Sequence, residues 1–87
     1  MLGTKYYFSA IEDEIYSMME DYTLGIHTYE FGLIAAITDY LDNYNNHIEW
    51  HLGCSRFPND SSRGVCYVAW IEEGHHHMIG FNYKEED

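Results

Sequence analysis

The sequence predicts an α+β fold in which two helices pack on one face of a three-stranded antiparallel β-meander, all within a single domain over residues 1–87. Three observations predict it. Apolar residues recur at helical spacing through the first half of the chain, and the period switches to two from His47 onward. Hydrophobic residues make up 46% of the chain, which supports one core, and 87 residues are too few to divide between two.

The first helix is expected at about 9–24. Ser9 and Glu12 form a Ser-x-x-Glu capping box at its start, and Gly25 suits the left-handed position that follows a helix. Ile11, Ile15, Met18, Met19 and Tyr22 fall on one stripe, with Asp13, Glu14, Glu20 and Asp21 opposite. The second helix is expected at about 28–44, with Thr28 as N-cap. Leu33, Ile34, Ile37, Leu41 and Tyr44 lie on its apolar stripe, Asp39, Asp42 and Asn43 on the other side, and Asn45-Asn46 at its end.

Strands are expected at about 47–54, 64–72 and 75–83. Residues 55–64 read as a long hairpin loop and Glu73-Gly74 as a tight turn. A register pairing Trp50 with Trp70, Leu52 with Val68, Cys54 with Cys66, Trp70 with His77, Val68 with Ile79 and Cys66 with Phe81 gathers one apolar face. That face holds Ile48, Trp50, Leu52, Cys54, Cys66, Val68, Trp70, His77, Ile79, Phe81 and Tyr83, a layer for the helices to cover. The opposite face then holds His47, Glu49, His51, Val65, Tyr67, Ala69, Ile71, His76 and Met78, a mixture that suits a contact surface. Tyr6-Tyr7-Phe8 reads as a further short edge strand.

Composition narrows the function. Fifteen acidic residues face four basic ones, for a formal charge of −11, so direct contact with nucleic acid or an anionic membrane is not expected and a basic protein partner is. No apolar run reaches the ~20 residues of a membrane span, and the Met1-Leu2-Gly3-Thr4-Lys5 start lacks signal-peptide regions, which leads us to expect a cytoplasmic protein. In that compartment Cys54 and Cys66 are expected as buried free thiols.

Catalysis is not expected. The chain has no glycine-rich phosphate loop, no G-x-S-x-G and no H-E-x-x-H, and its adjacent carboxylates spread around a helix instead of facing a cleft. No cofactor is implied. For metal, the register brings His76 toward Glu49 with His47 or His51, acceptable zinc ligands, and a second set would be His51, Cys54, Cys66 and His77. Neither follows an established zinc spacing, and His75-His76-His77 on a strand should point to alternating faces.

The acidic strip carries more information. Neither expected helix contains a Lys or Arg, whereas an ordinary solvated helix face interleaves both signs in i to i+4 pairs. Uncompensated charge lowers stability, so Asp13, Glu14, Glu20, Asp21, Asp39, Asp42, Glu72 and Glu73 are the expected partner-binding residues, together with Tyr67, one of three aromatics, Tyr16, Tyr29 or Tyr67, that suit the role of a desolvated anchor. In size, charge and acidic positions the chain resembles the small acidic anti-CRISPR and anti-restriction inhibitors of phages and mobile elements, several of which imitate nucleic acid with carboxylates. That resemblance implies stoichiometric binding to a host CRISPR effector or restriction enzyme, in the host cytoplasm, where the target would hold DNA. Two other readings stay open: an interaction or regulatory protein that binds a partner, or itself as a homodimer, through the histidine and aromatic sheet face; and a small metal-binding module.

Overall fold

The structure is a computed structural model and describes residues 9–44 and 48–85. The elements, in order, are α1 (Ala10–Asp21), β1 (Thr23–Gly25), β2 (Thr28–Glu30), α2 (Gly32–Asp42), β3 (Glu49–Phe57), β4 (Asp60–Glu72) and β5 (His75–Lys84). The class is α+β with two helices, but the sheet is not a three-stranded antiparallel meander. It has five strands in the order β1-β2-β5-β4-β3, with β2 parallel to β5 and the other pairs antiparallel.

The correction originates in residues 23–30. Helix α1 stops at Asp21, not at 24: the Tyr22 amide and the Thr23 hydroxyl both donate to the Met19 carbonyl, closing the last turn. The chain then makes a small hairpin around Ile26 and His27, with His27 in the left-handed region at φ 65°. Thr28 is therefore a strand residue and not the N-cap of the second helix, and Gly25 lies in β1 instead of capping α1. Helix α2 begins at Gly32 with no side-chain cap; the Phe31 amide instead donates to the Lys84 carbonyl and extends the β2–β5 seam.

The β3–β4 connection differs as well. Residues 55–64 are mostly strand, closed by a two-residue turn at Pro58 and Asn59. Asp60 Oδ1 accepts from both the amide and the hydroxyl of Ser62, and Arg56 donates to the Ser61 carbonyl and to Glu85 at 2.8 Å, which holds the hairpin end without a long loop. The other turn is as expected: Glu73 and Gly74 both take positive φ, at 50° and 81°, the geometry that a two-residue hairpin requires.

Within β3, β4 and β5 the predicted register holds at all six pairs. Cys66, Val68, Trp70, Ile79, Phe81 and Tyr83 are buried beneath Ile11, Ile15 and Met19 of α1 and Leu33, Ile37 and Leu41 of α2, with Ile48, Trp50 and Leu52 packed at the margin. One pairing overturns an expectation. Cys54 and Cys66 face each other across the ladder with Cα atoms 4.1 Å apart and form a disulfide, so they are not free thiols. The expected edge strand at Tyr6-Tyr7-Phe8 and the helix-ending Asn45-Asn46 lie outside the described residues.

Candidate functional site

The helix layer positions the carboxylates. With Ile11, Ile15 and Met19 turned to the core, helical periodicity sends Asp13, Glu14, Glu20 and Asp21 to solvent; Leu33, Ile37 and Leu41 do the same for Asp39 and Asp42. All six are exposed, and neither helix contains a Lys or Arg. Their placement along the helices matters too. Glu20 and Asp21 occupy the last turn of α1, Asp39 and Asp42 the last turn of α2, and neither last turn holds a cation. A helix C-terminus carries partial negative charge, so these four positions are electrostatically unfavourable for the fold itself.

The two acidic strand-end candidates separate. Glu72 is half-buried and already engaged: its Oε1 accepts from the Ser9 hydroxyl at 2.6 Å and from the Trp70 indole at 3.3 Å. Ser9, itself 2% exposed, also accepts from the Glu12 amide, so one side chain caps α1 and ties it to the end of β4. Glu73 is exposed in the turn beyond. Tyr40 marks how close the end of α2 comes to these groups: burial first, then Tyr44, Glu14 and Glu72, push its phenol from the usual 10.0 up to about 12. The end of α2, which carries Asp39 and Asp42, thus lies toward the same end of the molecule as the start of α1, which carries Asp13 and Glu14, and the β4–β5 turn, which carries Glu73.

The described cations lie toward the other end. Arg63 and Lys84 are register partners, and Arg56 bonds Glu85 at 2.8 Å. Asp60 beside them is held below the usual carboxylate range, chiefly by the Ser62 hydroxyl and amide, with Arg63 and Lys84 adding to the effect.

Tyr67 is on neither of these surfaces. It is 39% exposed on the sheet face that the helices leave uncovered, with its ring tilted against His51 at 5.6 Å between centroids. The same face carries Val65, Ala69, Ile71, His76 and Met78, as the register predicts. The partner-binding set expected from sequence is thus divided: six carboxylates on the helix layer, Glu73 at its end, Glu72 within the packing, and Tyr67 on the far side.

The metal candidates do not converge. Among the described residues no three His, Cys, Asp or Glu side chains come together as a ligand set. Glu49 and His51 share a face of β3, but His76 is two strands away, across Ile71; His47 lies outside the described residues. The second set is broken twice, because Cys54 and Cys66 are bonded to each other and His51 and His77 occupy opposite faces. His77 instead stacks on Trp70 at 5.2 Å and 12°, with Nδ1 3.8 Å from a Glu12 oxygen.

Sequence reasoning missed two features here. The Ser9–Glu72 bond spans 63 positions and has no local signal. Gly53 and Gly80 flank Tyr67 in the ladder, a juxtaposition implicit in the register but marked by no side-chain pattern of their own. No protein-family profile, curated protein or solved structure matches the chain. No helix among the described residues is long and apolar enough to cross a membrane.

Proposed function

We propose that this chain is a non-catalytic binding protein that occupies the basic nucleic-acid site of a bacterial defence protein, a CRISPR effector or a restriction enzyme, with helix-layer carboxylates standing in for phosphates. One observation carries the reading. Six exposed carboxylates share a helix layer that has no cation of its own, and four of them sit in last turns where they work against the helices that bear them. Charge that the fold does not need is charge available to a partner's Lys and Arg side chains.

In this mechanism the negative field steers encounter with a cationic groove, so association is fast and sensitive to salt. Asp13, Glu14, Asp39, Asp42 and Glu73 form the denser end of the surface, with Tyr16 (49% exposed) and Tyr44 (40% exposed) as aromatic contacts that become desolvated on docking. Glu72 stays with Ser9 and Trp70. A cytoplasmic site of action adds one condition: the cytosol keeps thiols reduced, so the domain must remain folded without its Cys54–Cys66 bond.

The test is capture from bacterial lysate on the immobilised chain, at low and high salt, beside a variant with Asp13, Glu14, Glu20, Asp21, Asp39 and Asp42 changed to their amides. The expected result is a nucleic-acid enzyme retained at low salt by the wild type, released at high salt and absent from the variant. A partner held equally by both proteins would overturn the assignment.

A further inference from the structure

The fold has two layers, so one face of the sheet is covered by helices and the other is not. Along that open face β4 presents Val65, Tyr67, Ala69 and Ile71 in succession, with Met78 beside them on β5 at 67% exposure. Glu49, Ser55, His76 and Asn82 border this apolar stripe. An apolar centre with a polar rim is the anatomy of a protein interface.

Charge narrows the choice of occupant. The chain carries −11, yet the outward positions of β2, β3, β5 and of β4 from Arg63 onward hold two acidic residues, Glu30 and Glu49, and two basic ones, Arg63 and Lys84, which formally cancel, with Asp60 beyond them at the rim. On a strongly acidic protein this is a neutral surface, one that a second, equally acidic copy can approach with both carboxylate layers facing away.

Shape supports the same occupant. In the rung Gly53–Tyr67–Gly80 the tyrosine ring leans over Gly53, where an added Cβ would come within 2.6 Å of it. Gly80, on the other side, is open: an added Cβ there would meet only the Cys66 carbonyl, at 3.7 Å. Each copy thus offers a knob displaced toward β3 and a notch on β5. A two-fold axis along β4 lays β3 of one copy over β5 of the other, which seats each Tyr67 over the Gly80 of the second copy and sets each Glu49 opposite the second copy's His76. Arg63 meets its own copy at the rim, where each has Asp60 nearby.

We infer that the uncovered sheet face is a homodimer interface, packed sheet to sheet with strands aligned, Tyr67 in the Gly80 notch and Glu49 against His76. Strands ~30 Å long and four strand spacings of ~4.8 Å give a footprint on the order of 600 Å² per copy, at the lower limit of a stable interface. The dimer is therefore concentration-dependent. The inference is independent of what the helix layer binds, which the dimer would present twice, on opposite sides.

Sedimentation velocity of the full chain over a range of concentrations tests this. The expected result is a shift from the 10.3 kDa monomer to twice that mass, with Gly80→Leu and Met78→Glu each weakening association at least ~10-fold. Both sites are exposed, so the variants should keep the wild-type circular dichroism spectrum. Glu49→Arg should weaken the dimer and the added change His76→Glu should restore it, a rescue that a merely structural role would not produce. A chain that stays monomeric throughout, or a dimer unchanged by Gly80→Leu and Met78→Glu, would overturn the inference.

Discussion

Ser9 shows how much one side chain does in a small domain. Its hydroxyl accepts from the Glu12 amide and donates to Glu72, so it begins α1 and anchors that beginning to β4. Ser9→Ala removes a cap and leaves a half-buried carboxylate short of a donor; the expected loss is about 1–3 kcal/mol in urea unfolding. Glu73 should behave in the opposite way. A non-glycine residue at φ 50° is disfavoured, and Glu73→Gly should raise stability by roughly 1 kcal/mol while weakening capture of a basic partner. Tyr40 fixes a pH dependence. Its folded pKa of about 12 lies above the ordinary 10.0, so the stability linked to it is complete below about pH 10 and is lost as pH rises toward 12. Absorbance titration should show a tyrosine ionising near pH 12, and Tyr40→Phe should remove that step and flatten the alkaline fall in stability.

At the scale of elements, the disulfide and the small hairpin separate what was legible from what was not. The β3–β4–β5 ladder was readable because strands of nine, thirteen and ten residues are long enough to display a two-residue period. Strands β1 and β2 have three residues each, too short to show any period, and the parallel β2–β5 pairing is fixed by tertiary contacts that no local pattern encodes. Thr28 misled for a related reason: threonine suits both an N-cap and a strand. The register places Cys54 opposite Cys66, whereas the count of two cysteines and the expected reducing compartment argue for free thiols. Because that bond closes a short loop, 12 positions apart, reduction should lower stability by about 2–3 kcal/mol. The reduced protein should still give a cooperative thermal transition, as a cytoplasmic role requires; an unfolded reduced chain would exclude that role.

Over the whole molecule the organising feature is charge segregation. Carboxylates cover the helix layer and concentrate where α2 ends beside the start of α1, the described cations sit toward the far end of the sheet, and the open face is neutral. The acidic strip was legible from the missing Lys and Arg. Its division was not: that Glu72 belongs to the packing and Tyr67 to the opposite side depends on which residues face each other across the sheet. Neutralising Asp39 and Asp42 should raise stability by a few tenths of a kcal/mol each, because both oppose the α2 dipole. A variant that is more stable yet binds less is the signature expected if this charge serves a partner.

The most direct measurement is competition. A purified CRISPR effector or restriction enzyme captured by the chain would be loaded with labelled DNA, and the chain titrated in at moderate salt. The proposed function predicts stoichiometric release of the DNA, lost when the six helix carboxylates become amides and kept when Tyr67 is changed to Ala. A ternary complex of enzyme, DNA and this chain would contradict it.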